Sequence, residues 1–362
     1  MGSEAVVQIF DGPGRDLRRA MHPIPSSLAH GEILVEIRLA TICGSDLHTM
    51  AGHRSEPVPS ILGHEAIGVI TELGPQPQAR AQLTRGDRIT WSIADSCGHC
   101  AYCTEFRLPE KCSSLFKYGH APLDDGSGLN GTYASHIVLR PGTHVVPLPD
   151  TLSDSVAAPV NCALATTVNA VSHVPSSNGA VVVQGAGLLG LYTCALLRER
   201  GVQHLFCVDV NQRRLALVPR FGAIPIDGRE DRYPQARRQI EEAAPHGVDA
   251  VIELAGSSSL VADGIRLLRP GGYYGFVGMV HPDTELNLTG EQVIRKCLTI
   301  QGVHNYSPHH LDEAVSFLDR TAGSYPYESL VSPPYQLNHI MQAVQTAQER
   351  QFPRIAVGTN ST

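Results

Sequence analysis

The feature that most constrains the fold is an apolar run that ends in a glycine turn. The stretch "VVVQGAGLLG" places Gly185, Gly187 and Gly190 in the pattern G-x-G-x-x-G, with Leu188 and Leu189 between the last two glycines. The run before the turn indicates a buried strand, and the apolar residues after it, "LYTCALLRERG", indicate a helix. This order predicts a βαβ unit whose helix N-terminus binds a pyrophosphate.

Further strand and helix patterns surround this turn. A helix-like run, "DSVAAPVNCALATTVNAVSHV", precedes it, and "HLFCVDV" with "NQRRLALVPRFGA", "VDAVIELAG" with "SLVADGIRLLRPGG", and then "YYGFVGM" follow it. Strands that alternate with helices favour the α/β class with a doubly wound parallel sheet. We therefore expect this half of the chain to form a dinucleotide-binding domain.

The cofactor preference depends on the residue at the end of the next strand. Asp209 lies about twenty residues beyond the glycine turn, where an acid binds the ribose hydroxyls of NAD and repels the 2′-phosphate of NADP. Two observations leave other interpretations open. Asp209 could cap a helix beside Asn211, and the guanidinium of Arg213 or Arg214 could accept a phosphate. The pattern favours NAD over NADP.

The first 150 residues have a different character, with short β patterns separated by Gly and Pro. The segments are "GEILVEIRLATI", "EAIGVITELG", "GDRITWSI" and "YASHIVLRPGTHVVPLP". Alternation with frequent turn residues predicts a β-rich, barrel-like domain. At the other end of the chain, "HHLDEAVSFLDR" predicts a helix, and a helix and strand ending in "RIAVG" follow it.

Four of the nine cysteines fall in one short loop, "CGHCAYCTEFRLPEKC". A chain of 362 residues that is 42% hydrophobic can build proper cores without disulfides, and its first residues do not resemble a secretory signal, so we expect reduced thiols and a cytoplasmic protein. Under reducing conditions this spacing favours a closed four-thiolate zinc site, with an iron-sulfur cluster or a dithiol switch as alternatives. The proposed ligands are Cys97, Cys100, Cys103 and Cys112.

Composition argues against two classes of partner. No run of about 18 residues is free of polar breaks, so we expect no membrane span. The formal net charge of -7 is spread along the chain, whereas a zinc-ribbon protein that binds nucleic acid would have a basic surface. We expect a small-molecule substrate instead.

A second set of metal-ligand and proton-transfer residue types lies outside the cysteine loop. They occur in three segments, "CGSDLH", "GHE" and "APVNCALATT". Taken singly, a cysteine is usually a small core residue and a loop histidine is usually only hydrogen-bonded. The residues are Cys43, Ser45, Asp46, His48, His64, Glu65 and Cys162.

These motifs together resemble those of the zinc-dependent medium-chain alcohol dehydrogenases. "CGSDLH", "GHEAIGVITELG", the cysteine loop, "AAPVNCA" and "GAGLLG" occur in that family's order and approximate spacing. The resemblance implies a GroES-like catalytic domain over 1–152 with a structural zinc loop at 97–112, and a Rossmann NAD-binding domain over 153–300. A C-terminal segment, 301–362, would return to the catalytic domain.

The resemblance also implies two zinc ions per subunit with different roles. Cys43, His64 and Cys162 correspond to the catalytic ligands, and an open fourth position would take the substrate oxygen. The cysteine loop would hold the structural ion. Eight residues separate Cys103 from Cys112, one more than is usual in the family.

Further roles follow from the same resemblance. Ser45 would accept the alcohol proton and pass it through the nicotinamide ribose to His48 at the surface, and Asp46 would orient His64. Glu65 would sit beside the metal and bind it transiently. Thr166 and the backbone of Val277 and Met279 would hold the nicotinamide ring. Arg214, a candidate from its place near the ribose pocket, would join the glycine turn and Asp209 in binding the cofactor.

The substrate is expected to be a small alcohol, aldehyde or ketone. "HTMAGHRSEPVPSILGHE", "LPEKCSSLFKYGH" and "GVHNYSPHHL" resemble a branch of the family associated with phosphonate catabolism, whose substrate would need a cation such as Arg54, Lys117 or His120. A polyol or amino-alcohol dehydrogenase with the same zinc and NAD machinery is the alternative, and a non-catalytic structural or redox-sensing relative is a more remote one. By analogy with the family we expect a homodimer or homotetramer.

Overall fold

The computed structural model describes residues 3–75, 83–175, 179–280, 284–286 and 288–359. They form two compact units, one made of residues up to Ala165 together with those from Tyr306 onward, and the other of Thr166–Asn305. The predicted domain boundaries, 152/153 and 300/301, lie before the positions at which these units divide, 165/166 and 305/306. Residues 153–165 belong with the first unit because Asp154 accepts hydrogen bonds from Arg38 and Arg88 of the β-rich part.

The part of the first unit that the structure describes begins with nine strands and three short α-helices. The strands are β1 (Glu4–Phe10), β2 (Arg18–Pro23), β3 (Ile33–Ile42), β4 (Ser60–Ile61), β5 (Glu65–Leu73), β6 (Arg88–Asp95), β7 (Phe116–Lys117), β8 (His136–Leu139) and β9 (Thr143–Pro147). The helices are α1 (Gly44–Met50), α2 (Ala101–Thr104) and α3 (Asp154–Ala157), followed by a π-helical turn at Val160–Leu164.

The second unit alternates strands and helices. Its strands are β10 (Ala180–Gln184), β11 (His204–Asp209), β12 (Ile224–Asp227), β13 (Val248–Glu253), β14 (Leu268–Phe276) and β15 (Thr299–Gly302). Its helices are α4 (Ala165–Ser172, beginning at the boundary), α5 (Leu188–Glu199), α6 (Gln212–Leu215), α7 (Tyr233–Ala236), α8 (Arg238–Ala243), α9 (Val261–Leu267) and α10 (Gly290–Arg295). The chain then returns to the first unit with α11 (Pro308–Thr321), β16 (Tyr335–Gln336), α12 (Ile340–Gln348) and β17 (Ile355–Gly358).

Among the described residues, the strands of the second unit form one parallel sheet in the order β12-β11-β10-β13-β14-β15. The first strand in sequence lies at the centre and the order reverses beside it, which is the doubly wound arrangement that places a ligand at the carboxyl ends of the central strands. Every residue of β10 is buried, as expected for a strand covered by helices on both faces. The predicted α/β class and doubly wound sheet are confirmed.

The sheets of the first unit are mostly antiparallel. One has three strands in the order β2-β1-β4, and the other is built on β16-β17-β3-β5-β6-β7, with β8 paired to β3 and β9 to β6. Buried side chains from these sheets form two apolar clusters, around Tyr133 and around Trp91. The C-terminal strand β17 pairs directly with β3, so the end of the chain completes this β-rich unit.

Two predicted helical runs are interrupted in the structure. The run from 154 to 174 is broken at Pro159 into α3, the π-helical turn and α4, and the run after β11 is broken near Pro219 into α6 and a 3-10 helix at Val218–Phe221. Proline removes a backbone donor and its ring displaces the preceding turn, which explains both breaks. Among the residues that the structure describes, no helix is both long and apolar enough to cross a membrane.

Candidate functional site

The cysteine loop brings its four sulfur atoms together. The Sγ atoms of Cys97, Cys100, Cys103 and Cys112 all lie within 4.8 Å of one another, and the Cys100 Sγ is 3.6 Å from that of Cys103 and 3.8 Å from that of Cys112. The backbone N–H groups of Ser113 and Cys103 lower the pKa of Cys100 to about 5. Four cysteine sulfurs held at this separation by a short loop fit the ligand set of a tetrahedral zinc ion.

A second cluster is assembled from three distant segments of the first unit. One donor atom each of Cys43, His64, Glu65 and Cys162 lies within 4.8 Å of the others. Cys43 stands at the N-terminus of α1, His64 and Glu65 at the start of β5, and Cys162 in the π-helical turn. The structure thus brings together the three residues that the sequence assigned to a catalytic metal, and Glu65 beside them. Two thiols and an imidazole are a donor set that zinc prefers.

Asp46 holds two of these residues in place. Its Oδ2 accepts hydrogen bonds from the backbone N–H of Cys43 at 2.9 Å and from the hydroxyl of Tyr133 at 2.9 Å, while its Oδ1 lies 3.4 Å from Nδ1 of His64. Burial lowers the pKa of His64, but the charges of Asp46 and Cys43 outweigh it and raise this pKa to about 10. Because Nδ1 faces Asp46, Nε2 is the nitrogen available to a metal.

Glu65 is bound by an arginine that sequence analysis missed. Arg354, just before β17, donates from Nε to Oε2 of Glu65 at 2.8 Å and from Nη2 to Oε1 at 3.0 Å. Thr41 donates a further hydrogen bond to Oε2 at 2.6 Å. Burial raises the pKa of Glu65, and the charge of Arg354 opposes that rise. The Glu65 carboxylate therefore forms an ion pair with Arg354 beside the cluster. Its transient binding of metal stays a prediction.

Arg354 also acts on the nearest sulfur. Its Nη2 lies 3.5 Å from Sγ of Cys43. A hydrogen bond from the Cys162 thiol lowers the pKa of Cys43, and although burial opposes this, Arg354 and His64 lower it further. The result is a pKa well below that of an ordinary cysteine, which favours the thiolate, the form that binds metals.

The π-helical turn that carries Cys162 is fixed through its neighbour Asn161, which sequence analysis also missed. The Asn161 side chain is fully buried and donates to the backbone oxygens of His64 at 3.0 Å and Trp91 at 2.9 Å. Tyr306 donates from its hydroxyl to the Asn161 carbonyl. A π-helical turn within a helical segment is often found at functional sites.

The residues predicted to bind substrate lie beside the second cluster but do not all present a free charge. Arg54 donates to Oε1 of Glu56 at 2.7 Å, and Nδ1 of His120 lies 2.9 Å from the same oxygen. The His120 ring centroid is 5.3 Å from that of His64. Arg54 is thus already paired with Glu56, which sequence analysis did not consider. Lys117 makes no side-chain hydrogen bond or ion pair with any residue that the structure describes.

The predicted proton-transfer residues lie on α1. Ser45 is half-buried in its first turn and His48 is exposed near its end, on the solvent side of the same helix. Their roles stay predictions.

The glycine turn of the second unit has the form that a pyrophosphate requires. Gly185 has φ of +108°, a conformation that favours glycine, and a Cβ on Gly190 would lie 1.8 Å from the Gly185 oxygen. Gly187 precedes α5 as its N-cap, and the first N–H groups of such a helix can bind a phosphate. Of the residues between the glycines, Leu188 is buried and Leu189 half-buried.

Asp209, at the end of β11, is tied to this turn. Its Oδ2 accepts a hydrogen bond from the N–H of Ala186 at 2.7 Å, and its Oδ1 accepts one from Asn211 at 2.8 Å. Arg214 Nη1 lies 3.7 Å from Oδ2. The carboxylate and the guanidinium therefore stand together at the edge where a dinucleotide ribose binds in such sheets.

The remaining predicted cofactor residues are also in the second unit. Val277 is buried and donates its N–H to the Glu253 carbonyl at 3.0 Å, whereas Met279 and Thr166 are half-buried. The buried Glu253 carboxylate, another residue absent from the sequence predictions, accepts a hydrogen bond from the N–H of Gly256 at 2.6 Å. Glu253 thus links the loop after β13 to the one that begins at Val277.

Comparison with known proteins identifies the family. Residues 29–150 match the alcohol dehydrogenase GroES-like domain, and residues 189–320 match the zinc-binding dehydrogenase family. The zinc-type alcohol dehydrogenase B of Aspergillus flavus is 32% identical over 303 residues, which cover 80% of this chain and 68% of that protein. The 5-exo-hydroxycamphor dehydrogenase of Pseudomonas putida is 27% identical over 326 residues, covering 88% of this chain and 89% of that one.

A solved structure agrees with the sequence matches. An alcohol dehydrogenase from Thermotoga maritima superposes with a TM-score of 0.93 at 28% sequence identity, covering 99% of this chain and 100% of that one. The GroES-like and Rossmann-type architecture predicted from the sequence is confirmed. The chain therefore belongs to the zinc-type medium-chain alcohol dehydrogenases, a family of oxidoreductases.

Proposed function

We propose that the protein transfers a hydride between NAD(H) and a small alcohol, aldehyde or ketone, with zinc held by Cys43, His64 and Cys162. The observation that carries this proposal is the cluster itself, in which two sulfurs and an imidazole nitrogen lie within 4.8 Å of one another. Three protein ligands leave one coordination position open. When bound, the ion would act as a Lewis acid that lowers the pKa of a substrate hydroxyl.

The chain's own residues orient this site and move the proton. Asp46 holds the His64 ring with Nδ1 toward its carboxylate, which leaves Nε2 for the metal. Arg354 compensates the buried charge of Glu65 and keeps that carboxylate paired. Ser45 would accept the alcohol proton and pass it, through the ribose of the bound nicotinamide cofactor, to His48, which is exposed at the other end of α1 and would release it to solvent.

The four cysteines of the loop 97–112 are proposed to hold a second, structural zinc. Their four sulfurs would complete the coordination sphere, so that this ion has no open position and takes no part in the reaction. The iron-sulfur alternative would give visible absorption that zinc lacks.

Asp209 supports NAD as the cofactor. Its carboxylate stands at the end of β11 beside the glycine turn, where it would accept from the ribose hydroxyls and repel a 2′-phosphate. Asp209→Gly should raise the KM for NAD by about 10-fold to 100-fold, as expected for the loss of hydrogen bonds to a charged group, and that for NADP far less. Equal losses would mean that Asp209 supports only the turn, through its bond to Ala186.

For the substrate we propose a small hydroxy- or oxo-phosphonate. The support for it is Lys117, near Cys162, because its ammonium makes no hydrogen bond or ion pair with a side chain among the described residues, while the charges of Glu56 and Cys162 act on it from farther away. Burial and the nearby charge of Arg54 lower the pKa of Lys117, and the charges of Glu56 and Cys162 oppose them, so an anion bound there would add to the compensation of a buried ammonium. The Arg54 guanidinium, paired to Glu56 at 2.7 Å, contributes less than the sequence suggested.

A polyol or amino alcohol is the second candidate, and the position of Glu56 favours it. This carboxylate is largely buried and accepts from both Arg54 and His120 next to the His64 ring. A substrate hydroxyl or ammonium could bind to it in the same space. The two candidates differ in the charge they require of the substrate.

One sample can test both proposals. Zinc per subunit is measured on freshly purified protein, and NADH-dependent reduction is measured on phosphonoacetaldehyde, a neutral aldehyde of similar size and a small hydroxy-ketone. Two zinc ions and a preference for the phosphonate are expected. Lys117→Met should then raise the KM for the phosphonate by about 10-fold to 100-fold, with Lys111→Met, an exposed lysine of the cysteine loop, as control.

Other results would change the assignment. Two zinc ions with a preference for neutral substrates would keep the dehydrogenase and discard the phosphonate. One zinc and no turnover on any substrate would mean that only the cysteine loop binds metal.

A homodimer or homotetramer, joined through the edge strand β15, is the proposed assembly, and light scattering of the same sample gives its mass.

A further inference from the structure

We propose that Asn161 is a positioning residue that fixes the spacing between His64 and Cys162 and thereby sets how long the protein retains its zinc. The inference rests on the proposed zinc site. It concerns a residue that touches neither substrate nor metal and acts through the backbone of two ligands.

One amide group joins the two ligand segments. Asn161 precedes Cys162 in the chain, and its Nδ2 donates to the His64 carbonyl at 3.0 Å and to the Trp91 carbonyl at 2.9 Å. A side-chain amide has two N–H donors, so both are used. A shift of the Cys162 turn away from His64 would break a hydrogen bond in a fully buried place, where water cannot replace it.

The turn is held from its other side as well. Tyr306 donates its hydroxyl to the Asn161 carbonyl, and the Tyr306 oxygen accepts from the N–H of Ile93 at 3.2 Å. Trp91 and Ile93 both belong to β6, so this strand anchors the turn at two points. Residues 160–164 form a π-helical turn, and these bonds hold that less common backbone conformation in place.

The stability of the fold alone does not explain an asparagine here. Its Oδ1 is buried and has no hydrogen-bond partner among the residues that the structure describes. Leucine has a similar size and would leave no such acceptor unsatisfied. The two bonds from Nδ2 are what the asparagine supplies, and they reach the ligand segment of His64 and the strand behind it.

Asp46 and Asn161 have separate tasks in this arrangement. Asp46 orients the His64 ring and the start of α1 at Cys43. Asn161 fixes the backbone from which the His64 and Cys162 side chains extend. Groups that orient the ligands of a metal typically change its affinity by 10-fold to 100-fold when they are removed.

The experiment measures zinc release from the zinc-loaded protein into an excess of a chromogenic chelator. Two phases are expected, one for each ion, and the phase that is missing in Cys43→Ser belongs to the catalytic site. Asn161→Leu should accelerate that phase by about 10-fold to 100-fold and leave the other unchanged. Tyr306→Phe removes one hydrogen bond to the same turn and should accelerate zinc release in that phase by a smaller factor. This variant tests the inference if Asn161→Leu does not fold.

Asn130→Leu is the matched control. Asn130 is also a buried asparagine of the first unit whose Nδ2 donates to two backbone carbonyls, those of Pro122 and Asp125. It should lose stability without faster zinc release. An unchanged catalytic phase in both Asn161→Leu and Tyr306→Phe, or equal acceleration in Asn130→Leu, would overturn the inference. If Cys43→Ser retains both phases of the wild type, the proposed zinc site itself is wrong and the inference fails with it.

Discussion

The two metal-ligand clusters of the first unit are built in opposite ways. The cysteine loop takes four ligands from 97–112, and short-range hydrogen bonds within the loop, such as the Cys100 N–H to the Cys97 sulfur at 3.4 Å, set its geometry. The second cluster takes its ligands from Cys43, His64 and Cys162, more than a hundred residues apart at the extremes. One is a property of a loop, and the other is a property of the fold.

The difference extends to what surrounds the ligands. Three of the four loop cysteines are only half-buried, and the loop exposes Tyr102, Phe106 and Leu108. Around the second cluster, the side chains of Asp46, Glu65 and Arg354 are all buried. Asp46 accepts a hydrogen bond from the backbone of Cys43, and Arg354 donates one to Glu65. In the proposed assignment, the closed site of the loop needs only its ligands, whereas the open site must keep its geometry when its fourth position is empty, and the buried charges would supply that rigidity.

The substitution expected to have the largest effect, and to separate the roles of the two clusters most clearly, is Cys43→Ser. It removes a thiolate from the open site, and since a catalytic metal contributes several kcal/mol of transition-state stabilisation, turnover should fall by about 10³-fold or more. NADH binding, followed by its fluorescence, should remain, because the glycine turn belongs to the other unit. Turnover equal to that of the wild type would remove the catalytic-zinc assignment.

The next largest effect is expected from Arg354→Met, which leaves the buried Glu65 carboxylate without its partner. Breaking a buried ion pair on one side typically lowers the free energy of unfolding by about 3–5 kcal/mol. Adding Glu65→Gln should recover part of that loss, which chemical denaturation of the wild type and of the two variants would measure.

Arg38→Met is the control for Arg354→Met. The Arg38 ion pair with Asp154 is exposed on the arginine side, so its removal should cost about 1 kcal/mol at most. A loss no larger for Arg354→Met than for Arg38→Met would mean that the Glu65 carboxylate does not depend on the arginine. The second cluster would then depend on the buried charges around it no more than the cysteine loop does.

The sequence predicted the loop cluster from spacing alone and the other cluster only through family resemblance. Four cysteines within sixteen residues can meet whatever the rest of the chain does. Cys43, His64 and Cys162 meet because β5 pairs with β3 and the helical run after Asp154 breaks at Pro159. Hydropathy patterns located the strands and the parallel sheet, but they did not indicate that break.

Arg354, Tyr133 and Asn161 could not be predicted because their partners follow from strand register. In the pairing of β17 with β3, Ile355 lies opposite Ile42, so Arg354 comes beside Cys43 at the very end of the chain. The one available signal was a charged residue directly before the apolar strand "IAVG". Tyr133 and Asn161 carried none, because each looks like an ordinary core or helix residue.

A smaller effect, on stability rather than turnover, is expected from Cys100→Ser. Loss of the structural ion should lower the free energy of unfolding by about 3 kcal/mol, toward the upper end for a single substitution. The loosened loop should be cut faster by trypsin at Arg107 and Lys111, both exposed. Turnover per remaining folded subunit should stay near that of the wild type. A fall as large as that of Cys43→Ser would mean that the loop takes part in the reaction.

The smallest effect, and the one that tests the surroundings of the open cluster most finely, is expected from Tyr133→Phe. Burial and the neighbouring charge of Asp46 raise the pKa of Tyr133, so its hydroxyl stays protonated and donates to Asp46 at 2.9 Å. Without it, Asp46 keeps only the Cys43 N–H on that oxygen and holds the His64 ring less firmly. Zinc affinity at the catalytic site should fall by about 10-fold, at the lower end for groups that orient ligands.

Tyr118→Phe provides the matched change for Tyr133→Phe. Tyr118 is also a fully buried tyrosine, and its hydroxyl is 2.6 Å from that of Thr143 and accepts from the Arg140 N–H. It should lose comparable stability and keep the zinc affinity of the wild type, measured by competition with a chelator. If both variants bind zinc as the wild type does, Asp46 orients His64 without help from Tyr133. Only residues that contact the ligands of the second cluster directly would then affect its zinc affinity. The second cluster would depend less on its surroundings, and would differ less from the cysteine loop, than proposed here.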